Sequence, residues 1–321
     1  MDDQNRAVVF PGQGSQRPEM GKDFYDAIPV SRDTYHEASN ALGWDVIAMC
    51  FEENERLNLT EYSQPCILAT EIAMFRGLQS LYDFSPAYFG GHSLGEYTAL
   101  VAAGVFPFSD ALKTVQARGR LMQEATPVGM GAMAAVIADD LDVNRILEAV
   151  KGFPIDLANE NSTNQVVISG EAQAISEAEQ KIGDLFIENA SFRFVRLNVS
   201  APFHSRFMET IEGRFRDVLC GIEERLQPAG AKRVTANATG SFHSGSSKEI
   251  IDSLVSQLSH TVRWRKNMEA LTAVADSVIE IGPGWPLRKF FKTMQLECQS
   301  ITTFSGAQRA FEKAGIRSKH P

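Results

Sequence analysis

The stretch G-H-S-L-G-E-Y, residues 91–97, has the form G-x-S-x-G. In that form a serine sits on a sharp turn from strand to helix, where its hydroxyl can meet an acyl group. The flanking residues agree. AYFG (87–90) before it has strand character, and EYTALVAAG (96–104) after it reads as a helix closing on a glycine. Strand, elbow and helix in this order point to an α/β fold with a parallel sheet behind the elbow.

Nearer the N-terminus, AVVF (7–10) reads as a buried strand and PGQGSQ (11–16) as a glycine-rich loop. The loop lacks the Gly-Lys-Ser/Thr of a P-loop and the third glycine of a dinucleotide fingerprint. Helical periodicity runs from about 30 to 42 and from about 62 to 81, with Pro65 suited to the first turn of the second helix. PFSDALKTVQARGRLMQEA (107–125) is amphipathic, with Ser109 a candidate N-cap. VGMGAM (128–133) reads as a hinge. After it come strand, helix, two strands, helix and strand, up to Val199. That is the β-α-β-β-α-β order of a ferredoxin-like unit. The large unit resumes at SAPFHSRFM (200–208), and ADSVIEIGPG (275–284) reads as a buried strand followed by a turn. The expected fold is therefore α/β: a hydrolase-like parallel-sheet core (1–128 and 200–311) with an inserted ferredoxin-like small subdomain (129–199). Residues 312–321 are expected to form a flexible tail.

Composition narrows the function classes. The chain of 321 residues is 44% hydrophobic and 22% charged, which suits a soluble globular protein. No apolar run approaches the roughly 18 residues of a membrane span, and the acidic N-terminus does not resemble a signal peptide. A net charge of −9 disfavours a nucleic-acid partner. Cys50, Cys66, Cys220 and Cys298 are scattered without metal-ligand spacing, so reduced thiols in the cytoplasm and no metal site are expected.

Ser93 needs a base. Of the six histidines, His36 lies in a charged helix, His320 in the tail, His243 in a serine-rich loop and His260 at a helix end. His92 lies in the elbow, which should aim it away from the serine hydroxyl. His204 lies where the small subdomain hands back to the large one, the natural place for a cleft; a satisfied structural histidine remains the alternative. In such an elbow the amide after the nucleophile, here Leu94, forms half of an oxyanion hole, and an early glycine-rich loop supplies the other half. Gln13 in PGQGSQ is the natural source, although the loop could equally be an ordinary tight turn. No acid in a recognisable motif stands behind His204; a backbone carbonyl could orient it instead, giving a Ser-His dyad. Arg118 and Arg120 lie on the next helix, where either could be a solvated charge.

The motifs VFPGQGSQ (9–16), GHSLGEY (91–97), RGRLMQEA (118–125), NSTNQVVISG (161–170) and PFHSRFM (202–208) resemble, in the same order, those of the malonyl-CoA:acyl-carrier-protein transacylases. These include the fatty-acid-synthesis enzyme and polyketide-synthase acyltransferases. The resemblance covers about residues 8–284. It implies Ser93 as nucleophile, His204 as general base, the Gln13 and Leu94 amides as oxyanion hole, and Arg118 as the grip on a malonyl carboxylate. It also places Gln257 near His204, holding the imidazole through its backbone carbonyl, and His92 beside the substrate. Phe203 resembles the residue of malonyl-selective members, where a serine goes with methylmalonyl.

The implied reaction moves malonyl from CoA to the phosphopantetheine thiol of an acyl carrier protein, through a malonyl-serine intermediate. It implies malonyl-CoA and acyl carrier protein as partners and no resident cofactor; separately, the lack of a long heptad or obvious apolar patch points to a monomer, and the lack of a long apolar run to no membrane partner. Arg193, Arg196, Arg263, Arg265 and Lys266 are candidates to meet CoA phosphates and an acidic carrier. The alternatives are a hydrolase that edits carrier-bound acyl groups, a transferase for another extender unit, and a non-catalytic scaffold. Hydrolytic relatives lose the carboxylate-gripping arginine.

Overall fold

The computed structural model describes residues 5–127, 129–199 and 201–319. The strands are β1 (Arg6–Phe10), β2 (Tyr88–Gly91), β3 (Gly131–Ile137), β4 (Ile155–Ser162), β5 (Gln165–Glu171), β6 (Arg193–Arg196), β7 (Thr235–Ala236), β8 (Ser241–Phe242), β9 (Ser277–Ile281) and β10 (Cys298–Ile301). The helices are α1 (Lys22–Ala27), α2 (Pro29–Leu42), α3 (Val46–Phe51), α4 (Thr60–Tyr82), α5 (Leu94–Ala102), α6 (Phe108–Glu124), α7 (Val143–Ala149), α8 (Ala172–Leu185), α9 (Glu209–Cys220), α10 (Ser247–Ser259), α11 (Trp264–Thr272), α12 (Pro286–Thr293) and α13 (Phe304–Lys313).

The large unit is built on a parallel sheet in the order β10-β9-β1-β2. Every residue of β1 is buried, as a parallel strand covered on both faces requires; this is why RAVVF shows no polar alternation. Helix α4 runs through the core beside the sheet. Its Phe75 meets Phe10, Phe84 and Phe89 edge to face, with ring centroids 6.0–6.2 Å apart. Helix α6 presses on the start of α4 at Gly119, where a Cβ would lie 2.5 Å from the Thr60 carbonyl oxygen. Only glycine permits that approach, and it brings the neighbouring Arg118 inward.

The small unit is a four-stranded antiparallel sheet in the order β4-β5-β3-β6, with α7 and α8 completing the ferredoxin-like arrangement. It has its own core, including Ile146, Ile168, Ile175 and Ile182. Strand β4 is stitched to the large unit: Val262 N–H donates to the Ala158 carbonyl (2.8 Å), and Glu160 N–H to that of Val262 (2.9 Å). Arg206 adds a fork to Asp156, Nε to Oδ2 at 2.9 Å.

Several local expectations need correction. Pro65 is not in the first turn of its helix, because α4 begins at Thr60; Pro65 removes an interior amide from a helix held by its packing. Ser109 is not an N-cap: Pro107 occupies that position and no side chain caps the turn. The hinge residue Val128 and the junction residue Ser200 lie outside the described residues, as does His320. Past α13, the segment read from sequence as a tail folds back on the body. Ile316 packs against the core and Lys319 N–H donates to the Leu81 carbonyl at 2.9 Å. No helix among the described residues is long and apolar enough to cross a membrane.

Candidate active site

Strand β2 ends at Gly91 and α5 begins at Leu94, so two residues make the whole turn. Ser93 carries the strain, with φ 53° and ψ −100°. The flanking glycines are sterically required. A Cβ on Gly91 would fall 2.0 Å from the Gly95 carbonyl, and one on Gly95 would fall 2.0 Å from the Phe10 carbonyl oxygen. The strained residue is gripped from both sides: Ser93 N–H donates to Asn237 Oδ1 (2.6 Å), and Gln257 Nε2 donates to the Ser93 carbonyl (3.0 Å).

His204 also has positive φ, 56°, and its Nε2 lies 2.9 Å from Ser93 Oγ. Its Nδ1 lies 2.6 Å from the Gln257 carbonyl oxygen. A carbonyl can only accept, so Nδ1 carries the proton and Nε2 is left to accept from the serine hydroxyl. Burial, reinforced by the Arg118 charge, lowers the His204 pKa to about 3. The imidazole is neutral and able to take a proton. Among the described residues its partners are Ser93 and a main-chain carbonyl, not a carboxylate.

Arg118 projects from α6 to the same serine and is 1% exposed. Its Nη1 donates to Gln64 Oε1 (3.0 Å), and its Nη2 to Gln257 Oε1 (2.9 Å) and Ser93 Oγ (3.1 Å). The guanidinium stands over the Tyr97 ring, 5.3 Å from the centroid. Its Nε is buried without a partner, and no ion pair to it is found among the described residues. Arg120 is exposed, which separates the two arginines left open by spacing.

The PGQGSQ loop lies against the elbow. A Cβ on Gly12 would sit 2.5 Å from the His92 carbonyl oxygen and 3.7 Å from the Leu94 amide nitrogen. Gln13 is anchored by its side chain, Nε2 donating to Thr60 Oγ1 at 3.2 Å. The Gln13 and Leu94 amides donate to no acceptor among the described residues. His92 turns away from the serine: its Nε2 meets Asn161 Oδ1 of β4 at 2.8 Å, and burial lowers its pKa. Phe203 is buried in the apolar cluster beside His204. Among the basic candidates, Arg196 is paired with Glu179 and Arg265 with Glu269, while Arg193 is exposed.

Pattern reasoning did not find Gln64, Glu96, Asn161 or Asn237. They reach the site from separate elements; Gln64 and Asn237 lie in no motif, while Glu96 and Asn161 lie inside GHSLGEY and NSTNQVVISG without those motifs giving them a role. One signal was available: Glu96 lies inside GHSLGEY, in a helix whose buried face leaves an acid no route to water. A serine beside a neutral, oriented imidazole, next to a buried guanidinium, can form an ester with an acyl group that carries an anionic tail.

A family model described as acyl transferase domain matches residues 7–290. The malonyl CoA-acyl carrier protein transacylase of Bacillus subtilis (strain 168) is 36% identical over 302 residues, 92% of each chain. That of Escherichia coli (strain K12) is 38% identical over 282 residues, 87% of this chain and 89% of the relative. Among solved structures, malonyl CoA-acyl carrier protein transacylase from Clostridium perfringens superposes with a TM-score of 0.87 at 31% identity, covering 97% of both chains. A malonyl-transacylase solved in complex with its type II PKS acyl-carrier protein gives 0.86 at 34% identity, covering 97% of this chain and all of that one. The elbow, the two-unit fold and these likenesses agree: the chain is an enzyme of the acyl transferase family and belongs with the malonyl CoA-acyl carrier protein transacylases.

Proposed function

We propose that the enzyme moves a malonyl group from CoA to the phosphopantetheine thiol of an acyl carrier protein, for fatty-acid or polyketide synthesis. The observation that carries the substrate class is Arg118: a guanidinium buried beside Ser93 Oγ with its Nε unpaired. A buried guanidinium whose direct partners are all neutral is costly until a counter-charge touches it, and a carboxylate tail on the acyl group supplies it through two parallel bonds.

In the first half-reaction His204 Nε2 takes the Ser93 proton as Oγ bonds to the thioester carbonyl carbon. The Gln13 and Leu94 amides receive the oxyanion. The carbon–sulfur bond breaks, and the CoA sulfur leaves with the proton from His204. In the second, the carrier thiol gives its proton to His204 and its sulfur attacks the malonyl ester. The bond to Ser93 breaks and Oγ takes the proton back. Phe203 crowds an α-methyl group and favours malonyl over methylmalonyl. The chemistry asks for no resident cofactor. Free thiols at Cys50, Cys66, Cys220 and Cys298 support a cytoplasmic enzyme.

The test is a competition among malonyl-, methylmalonyl- and acetyl-CoA, read as acyl groups loaded on holo acyl carrier protein by mass spectrometry. Malonyl loading should dominate. Release of free malonate without loading would replace transfer by hydrolysis, and the absence of a Ser93 adduct in folded protein would favour a scaffold.

A further inference from the structure

Glu96 lies three residues after Ser93, in the first turn of α5, and is completely buried. A buried carboxylate must be met by donors on both oxygens. Its Oε1 faces His243 Nε2 at 3.0 Å; its Oε2 accepts from Gln257 Nε2 (2.7 Å) and from Asn237 N–H (3.0 Å). Neither Gln257 nor Asn237 is an incidental neighbour. Gln257 gives its carbonyl to His204, its side-chain oxygen to Arg118 and its side-chain nitrogen to the Ser93 carbonyl. Asn237 accepts the Ser93 amide through Oδ1 and donates through Nδ2 to the Gly91 carbonyl at 2.8 Å.

An amide side chain can present either end, and its neighbours decide which. At Gln257 an anion faces the NH2 group and a cation faces the oxygen, so one orientation is selected. At Asn237 the main-chain tie to Glu96 fixes the residue whose side chain holds the elbow from both ends. Both clamps on a strained nucleophile thus rest on one carboxylate, which also places a negative charge on the far side of Gln257 from Arg118.

We propose that Glu96 is a positioning residue of this site, setting Gln257 and Asn237 and, through them, the Ser93 backbone, the His204 ring and the Arg118 fork. It stands in for the acid that a serine triad places directly behind its histidine, displaced by one intervening glutamine. The assignment rests on the proposed transfer reaction and deepens it.

The test uses the full chain with malonyl-CoA and holo acyl carrier protein. Wild type, Glu96→Gln and Glu96→Asp are compared for kcat, KM and the single-turnover rate of Ser93 acylation, with thermal melting as a check of folding. Misplacement of reacting groups costs about 10²-fold, so kcat for Glu96→Gln should fall by roughly that factor while KM for malonyl-CoA moves by less than about threefold. Glu96→Asp keeps the buried charge but withdraws it by one methylene, and it should lose about tenfold in kcat. It also decides the matter if the glutamine variant does not fold. In a Gln257→Leu background the same Glu96→Gln change should cost at least about threefold less than it does in wild type, because coupled residues are non-additive, the remainder passing through Asn237. Wild-type kcat in both variants, or an undiminished loss in the Gln257→Leu background, overturns the assignment of Glu96 alone. A wild-type enzyme that neither forms the malonyl adduct nor loads the carrier overturns the transfer reaction instead.

Discussion

Replacing Arg118 by alanine should abolish the proposed preference for acyl groups that carry a carboxylate. A hydrogen bond to a charged group is worth about 1.5–3 kcal/mol, so a two-pronged grip on a carboxylate could supply about twice that. The free site offsets part of it: Nη1 is already engaged by Gln64, and Nη2 by Gln257 and Ser93 Oγ, and these contacts must shift or be shared when a carboxylate enters. A net loss of about 3 kcal/mol is expected, which is about 10²-fold in kcat/KM for malonyl-CoA. Acetyl-CoA has no carboxylate to lose, and its kcat/KM should hold or rise. The malonyl-to-acetyl ratio should therefore fall by at least about 10²-fold. Arg118→Lys keeps a point charge but not the fork and should lie between. The assay is carrier loading from each thioester across a concentration series, with circular dichroism confirming the fold. A ratio for Arg118→Ala within about threefold of wild type would refute the carboxylate grip, because that change is well under 1.4 kcal/mol.

Other expectations can be tested alongside. His204 is held neutral down to about pH 3 by burial first and the Arg118 charge second, so kcat/KM should show no acid limb near 6.5. Arg118→Ala removes the second cause and should move that limb upward, read from a pH–rate profile. Burial raises the pKa of Glu280 to about 7, so the folded state takes up this proton more readily than the unfolded chain. Stability from this source is full below about pH 4.5 and is lost as pH rises through 7; Glu280→Gln should flatten that fall in denaturation midpoints measured at pH 5 and pH 8. Gly95→Ala should abolish soluble folded protein or sharply lower its melting temperature, because the added Cβ would overlap the Phe10 carbonyl. Deleting residues 314–321 removes the Ile316 packing and the Lys319-to-Leu81 bond. It should lower the melting temperature by about 2–4 °C per kcal/mol lost.

The sequence made some of this site visible and hid the rest for a physical reason. The elbow could be read because its glycines and serine are adjacent and their roles are steric. The ferredoxin-like unit could be read because its strands and helices follow one another locally. In helix α11, Trp264, Met268 and Leu271 recur at helical spacing, but Arg265 and Lys266 break the apolar run between them and mask the periodicity. Strand β10 is a short edge strand with two of its residues buried, too brief for a periodic signal. The hydrogen bonds that make the site work join residues far apart in the chain: 139 positions between Arg118 and Gln257, and 144 between Ser93 and Asn237. No spacing rule reaches that far. Gln257 is visible only through family resemblance, Glu96 only as an acid inside the elbow motif, and Asn237 not at all.

Ser93 and His204, the proposed nucleophile and base, both stand at positive φ, which restricts what can replace them before any chemistry is considered. A β-branched side chain is a severe outlier at positive φ. Threonine is therefore closed as an alternative nucleophile at position 93, although its hydroxyl would serve. Cysteine has serine's unbranched Cβ and fits the same turn. If this scaffold were redesigned for thiol chemistry, or drifted toward it, the route open to it is Ser93→Cys, and conformation would have chosen that route ahead of reactivity.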